Sequence, residues 1–183
     1  MRRLAIILVL ALGLVLVGAQ ASLAASPHFK HGGEPTCTIT PVSASSDSVT
    51  CTATLAGLGN ADVLVTTSVS GTAVYQCQNN GGNIAPGQNK VLVGPATSTT
   101  SIPASQVKNG NLTFTTNPAV LTAPTTVSAA VAGCPGANWT GVNPVLTVTD
   151  ISLTIEQPPG TTIFSCSASD PNGLSSPVTL ACG

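Results

Sequence analysis

Charge is nearly absent from this chain of 183 residues: Asp, Glu, Lys and Arg make up 6% of it, against about a quarter of an ordinary globular protein. Past residue 25 only Lys30, Lys90 and Lys108 stand against Glu34, Asp47, Asp62, Asp150, Glu156 and Asp170, a balance of −3. That excludes a nucleic-acid binder, which needs a basic patch, and a polybasic protein of membrane surfaces. The high net charge that drives disorder is missing as well. Aromatic residues are 3% of the chain, so any core is built mainly from Val, Leu, Ile and Ala. The only histidines are His28 and His31, and no pair of cysteines forms a C-x-x-C. Zinc and haem attachment therefore have no ligand pattern, and a Ser-His-Asp triad has no histidine beyond the N-terminal region.

What is present begins with an address. Met1-Arg2-Arg3 is followed by an apolar run from Leu4 to Val17 and then Gly18-Ala19-Gln20-Ala21-Ser22-Leu23-Ala24-Ala25. A basic start, a short apolar stretch and a small-residue exit predict a cleavable signal peptide over residues 1–25. A membrane-spanning helix takes about 20 apolar residues, and this run is shorter. Ala21, Ala24 and Ala25 all suit cleavage; Ala25 is our choice. No second apolar segment follows, so no membrane association is expected after cleavage.

In an exported chain, Cys37, Cys51, Cys77, Cys134, Cys166 and Cys182 predict three disulfides. Six cysteines permit many connectivities, and spacing alone does not choose among them. One pairing has a geometric argument. If Thr36–Thr40 and Ser48–Thr54 pair antiparallel with Cys37 opposite Cys51, Ile39 falls opposite Val49, at a separation a disulfide accepts. Cys166 with Cys182 would likewise close a hairpin through Asp170-Pro171-Asn172-Gly173, leaving Cys77 with Cys134.

The rest reads as β-structure, because Thr, Val and Ser dominate while Glu, Lys and Arg are scarce. Val63, Val65, Val69, Ala73, Tyr75 and Cys77 share one parity, which predicts a long strand with a bulge or bend at Gly71. From 145 to 157 the odd positions Val145, Ile151, Leu153 and Ile155 are predicted to face inward, with Thr147 and Thr149 between them. Asp150, Ser152, Thr154 and Glu156 face out. Shorter candidates are Lys90–Val93, Leu112–Thr116, Val127–Val131, Thr161–Cys166 and Val178–Cys182. Turn signals separate them: Gly57-Leu58-Gly59-Asn60, Asn79-Asn80-Gly81-Gly82, Asn109-Gly110, Pro135-Gly136 and Pro158-Pro159-Gly160. The fold class is therefore all-β: an antiparallel, immunoglobulin-like, disulfide-stabilised β-sandwich of about 7–9 strands. Its expected organisation is a flexible arm over 26–36, the sandwich over 37–157, and a disulfide-closed hairpin extension over 158–183.

Cys77-Gln78-Asn79-Asn80-Gly81-Gly82, Ala85-Pro86-Gly87-Gln88-Asn89 and Cys134-Pro135-Gly136-Ala137-Asn138-Trp139-Thr140 resemble segments of a group of uncharacterised secreted bacterial β-sandwich proteins. Leu55-Ala56-Gly57-Leu58-Gly59-Asn60 carries the same likeness, which covers about residues 37–157. The resemblance implies export and the Cys77–Cys134 pairing, and it marks 158–183 as an addition. It implies no activity.

Candidate chemistry is thin. His28, His31 and Glu34 could suggest a metal, but with Ser26-Pro27-His28 at the mature N-terminus an amino-terminal copper site fails, since Pro27 has no N–H to lose. Acid–base hydrolysis needs two carboxylates held close, and nothing singles out a pair. Asp170-Pro171-Asn172-Gly173 and Asn79–Asn83 carry too few carboxylates for calcium and read as turns. Asn111-Leu112-Thr113 and Asn138-Trp139-Thr140 match the glycosylation acceptor pattern, a chance match if the source is bacterial, as the resemblance implies. No catalytic, cofactor or metal residue is therefore expected.

Trp139, the only tryptophan, is the candidate ligand-binding residue: an exposed ring would stack on a sugar, whereas a packed one would shield the Cys77–Cys134 bridge. Thr-x-Thr recurs at Thr38/Thr40, Thr50/Thr52/Thr54, Thr113/Thr115 and Thr147/Thr149, too irregularly along the chain to predict a regular hydroxyl array. The expectation is a secreted, non-enzymatic structural or interaction module. Its partner would be an extracellular protein or polysaccharide, with self-association possible through sheet edges that carry little charge. A carbohydrate-binding module using Trp139 and a secreted hydrolase inhibitor are the alternatives.

Overall fold

A computed structural model describes residues 26–183, so the signal-peptide reading of 1–25 lies outside the described residues. The strands are β1 (His28–Phe29), β2 (Thr36–Ser43), β3 (Ser46–Ala56), β4 (Val63–Asn79), β5 (Ile84–Ile102), β6 (Leu112–Thr115), β7 (Ala119–Thr122), β8 (Val127–Ser128), β9 (Trp139–Glu156), β10 (Thr162–Ser169), β11 (Val178–Thr179) and β12 (Ala181–Cys182). A one-turn helix, α1 (Ala129–Ala132), follows β8, and a 3-10 turn spans Ala104–Gln106. Eight strands run four residues or more; the other four have two residues each.

Two antiparallel sheets result. In the first, β3 is central: β2 and β1 lie along one edge, β6 and β7 along the other, and β11 extends the sheet beyond β2. The second has the order β12-β10-β9-β4-β5, with β8 on β9. The molecule is a disulfide-stabilised, all-β sandwich. The parity that predicted β4 holds: Val63, Val65, Val69, Ala73, Tyr75 and Cys77 are all buried. They meet Ile151, Leu153 and Ile155 of β9 and, from the other sheet, Val49, Leu55, Phe114 and Leu121. Aliphatic side chains at strand period supply the burial that aromatics supply elsewhere.

All three bridges form: Cys37–Cys51, Cys77–Cys134 and Cys166–Cys182. Cys37 stands opposite Cys51 and Ile39 opposite Val49, the register expected. Cys166 likewise faces Cys182 across β10 and β12.

Three expectations need correction. Residues 26–36 are not a flexible arm. His28 and Phe29 pair with Ala56 and Leu55, the Lys30 N–H donates to the Thr54 carbonyl, and Pro35 is fully buried. Phe29 packs on Phe164 of the other sheet at 4.4 Å between ring centroids. A two-residue strand shows no periodicity, so its tertiary partners alone define it.

Nor is 158–183 an extension. β10 is the next strand after β9, β11 joins the opposite sheet, and β12 returns to β10. The chain crosses between the sheets at Leu180, which is buried, and so closes one side of the sandwich.

The third correction concerns parity in β9. β4 stays regular through Gly71, and its neighbours carry the bulges: Ser70 faces Asp150 while Gly71 faces Val148, so Thr149 is an extra residue. That one insertion reverses the alternation. Leu146 and Val148 turn inward, whereas Val145 turns out, opposite the outward-facing Val74. Gly71 is needed for a different reason, because a Cβ there would collide with the Thr147 carbonyl.

Candidate interaction surface

β5, β4 and β9 form a ribbon longer than the sheet facing it. Beyond Gly71 its inner face is covered by α1 and the Pro124 segment, while β8 pairs with β9 at the ribbon's edge. The Tyr75 hydroxyl donates to the Pro124 carbonyl at 2.9 Å, and Cβ atoms placed at Gly87 and Gly141 would each press on Ala132. Gly133 closes α1 at φ 69, a left-handed cap that glycine adopts at little cost, and Asn89 ties the helix to β5 by donating to the Ala130 and Val131 carbonyls.

The outer face of the same ribbon changes character along its length. Within the sandwich it is hydroxyl-bearing: Thr99, Thr66, Thr154 and Ser165 form one cross-strand row, and Thr97, Ser68, Ser152 and Ser167 the next. Past the bulges it turns apolar. Val74 stands between Lys90 and Val145, and Leu92 lies on the adjoining row. Leu92 is 87% exposed, Val145 58% and Val74 43%. These three aliphatic side chains make this face the candidate contact surface.

A second insertion in β9, at Asn143-Pro144, opens a groove beside this surface, reaching inward to Tyr75 and Thr125. Val74 faces Val145 but Gln76 faces Val142, so two residues of β4 span three steps of β9. Asn143 takes the left-handed conformation, φ 50, and its amide donates to Gln76 Oε1 at 2.9 Å. The resulting groove, about 570 Å³, runs between Val74, Gln76, Pro86, Asn143, Pro144 and Val145 and the β2–β3 turn at Ser43–Ser45. Tyr75 is its one titratable lining residue, and burial raises that phenol above its usual value. The groove therefore offers methyl groups, the Asn143–Gln76 amide pair and the hydroxyls of Ser43, Ser45 and Thr125, and no charged side chain lines it.

The other candidates are scattered. Trp139 is half-buried and lies on the face of the ribbon that carries Cys77, with its ring edge against Gly136. It presents no free ring face to the outer surface and stands apart from the groove. The six cysteines are all consumed in bridges. His28 contacts the Ser26 carbonyl through Nδ1, and among the described residues no cluster of three metal-type side chains occurs.

The carboxylates serve local structure. Asp62 accepts from the Ala104 N–H, Glu156 from the Gly160 N–H and Asp170 from the Asn172 N–H. Asp150 accepts from Ser169 and Thr149, both at 2.6 Å, and these bonds hold its pKa below the usual value. Asp47 is the exception: it is buried, and desolvation raises its pKa.

The threonine pairs are more ordered than their spacing suggested. Thr179, Thr36, Thr52 and Thr115 make one row across the first sheet, Thr38 stands beside Thr50, and Thr54 bonds Thr113 at 3.1 Å between hydroxyls. Rows formed by four separate strands have no signature in one-dimensional spacing. The groove was missed for a related reason: Asn143-Pro144 is its only local signal, and Val145 was assigned to the core by parity.

No protein-family model matches the chain, no curated protein matches it, and no solved structure matches it.

Proposed function

We propose that this protein is an exported, non-enzymatic interaction module that holds an extracellular protein partner against the outer face of its β5–β4–β9 ribbon. The observation that carries the reading is the exposed aliphatic cluster Leu92, Val74 and Val145 beside the Asn143–Gln76 groove, on strands held rigid from within. Three disulfides suit an oxidising compartment outside the cytoplasm, and among the described residues no helix is long and apolar enough to cross a membrane. Bacterial origin and the immunoglobulin-like relation belong to the same proposal. A protein partner is favoured over a polysaccharide because the surface offers methyl groups and amides where sugar sites offer flat aromatic faces.

The test is co-sedimentation of the purified protein with cell-envelope fractions, before and after protease treatment of those fractions, alongside Leu92→Glu, Val145→Glu and Trp139→Phe. Saturable binding that is protease-sensitive and lost in the two glutamate variants, with Trp139→Phe unchanged, is the expected outcome. Binding that survives protease and fails in Trp139→Phe would instead identify a carbohydrate module. No binding by the parent chain would sink the proposal.

A further inference from the structure

We infer that the Ala96–Ile102 edge of β5 is a pairing site for a second copy of this chain, giving a two-fold dimer guarded by Asn117. The site follows from the direction of the backbone groups. β5 pairs with β4 in regular register from Val63 opposite Ile102 to Val69 opposite Ala96, so backbone groups alternate between facing β4 and facing away. The Thr99 carbonyl faces away, because Asn117 Nδ2 of the β6–β7 connection donates to it at 2.8 Å. In an antiparallel strand the N–H and C=O of one residue point the same way, and residues two apart share that direction. The N–H and C=O groups of Thr97, Thr99 and Ser101 therefore form an open row, and Asn117 occupies one acceptor in it.

This edge is longer than those of the short edge strands. β11 and β12 have two residues each, and β6 and β7 have four each with Pro118 between them. Short strands and prolines are how edges are blunted. Residues 96–102 carry no charged side chain and no proline, but Pro95 and Pro103 bracket them. The bracket makes the segment self-complementary. Centred on Thr99, an antiparallel pair sets Thr97 against Ser101 of the other copy, Thr99 against Thr99, and Pro95 against Pro103. Every outward donor and acceptor of Thr97, Thr99 and Ser101 then finds its mate. Slipping the register sets a proline, which has no N–H, against one of them. The exposed side chains of these residues become cross-strand Thr–Ser and Thr–Thr pairs.

A two-fold contact of this kind uses the same patch on both copies, so assembly stops at the dimer. One short edge buries well under about 1,000 Å², which makes the dimer weak and concentration-dependent. Dimerisation stands apart from the partner-binding proposal, since either can fail alone.

Sedimentation velocity of the purified protein over a wide concentration range tests the inference, with Leu92→Glu as a control for association through the apolar face. The expected result is a monomer–dimer equilibrium with no larger species, unchanged by Leu92→Glu. Asn117→Ala, which frees the Thr99 carbonyl in both copies, tightens it by about 25-fold, the value of one neutral hydrogen bond per copy. Thr99→Pro removes the central N–H and abolishes it. Should Thr99→Pro fail to fold, Thr97→Lys with Ser101→Lys places exposed like charges opposite each other and abolishes the dimer without touching the core. A chain that stays monomeric at millimolar concentration, or a dimer indifferent to the lysine pair, overturns the inference.

Discussion

The two halves of the β5–β4–β9 ribbon are built from the same three strands and held in different ways. From Val63 to Gly71, β4 lies inside the sandwich, and its inner face meets a full sheet through Val63, Val65 and Val69. From Thr72 to Asn79 it runs past that sheet, and its inner face rests on α1 and the Cys77–Cys134 bridge. The first half is stabilised by buried area, the second by a covalent tie between segments 57 residues apart. The outer faces differ in parallel. The sandwiched half is covered with hydroxyls, whereas the overhanging half exposes aliphatic side chains. A region stapled by a disulfide can display apolar groups without depending on them for its own folding, and this is where the proposed binding surface lies.

The largest effect expected is on the overhang. Replacing Cys77 and Cys134 by Ala costs about 4 kcal/mol by the loop-entropy model, against about 3 kcal/mol for either shorter bridge. Hydrogen exchange should show protection lost around Tyr75–Asn79 and Trp139–Gly141 while the β3 amides near Val49–Leu55 keep theirs. Uniform loss across both regions would mean that the two halves unfold as one unit. Next comes a matched pair of truncations on one strand. Leu153→Ala, in the sandwiched half, costs about 2–5 kcal/mol, whereas Val145→Ala, in the overhang, stays within about 0.5 kcal/mol. Chemical denaturation of the two variants measures that difference.

These contrasts also show which features were legible in the residues. Cys37 opposite Cys51 could be read because the two strands are adjacent and their turn is short, so parity alone fixed the register. The inward set of β4 was legible because that strand carries no insertion. β9 was misread past Thr149 because one extra residue reverses the alternation and leaves no compositional mark: Val145 looks like Ile151 until the bulge between them is known. The N-terminal strand and the crossing at Leu180 were invisible for another reason, since each is defined by a distant partner, Phe164 for the first and Pro35 for the second. The binding surface fell into both gaps. Asn143-Pro144 makes the groove, and the bulges decide which valines face water.

Smaller effects refine the sandwiched half. Thr67 sits fully buried on the inner face of β4, and its hydroxyl has no hydrogen-bond partner among the described residues. Thr67→Val removes that desolvated hydroxyl at nearly constant shape and should stabilise the fold by about 1 kcal/mol. A stability loss in thermal unfolding would show that the hydroxyl is satisfied in solution.

The smallest effects are those of two acids that shift in opposite senses. Asp150 is held below the ordinary aspartate value of 3.8 by Ser169 and Thr149, so its contribution is present above 3.8 and is lost as pH falls through the lower folded value. Asp47 is raised above 3.8 by burial, so the stability it confers is full below 3.8 and is lost as pH rises through the higher folded value. At pH 7 Asp150→Asn should therefore lower the melting temperature and Asp47→Asn should raise it, each by about 1–3 °C for a chain of this size. As pH falls the Asp47 difference should shrink first, since its folded value is raised, and the Asp150 difference only at lower pH, since its folded value is depressed. Asp47 sits at the β2–β3 turn end of the sandwich, beside the Ser43–Ser45 rim of the groove. An Asp47→Asn variant that is more stable at pH 7 yet binds its partner less well would tie that buried charge to the working surface, whereas unchanged binding would confine it to the fold.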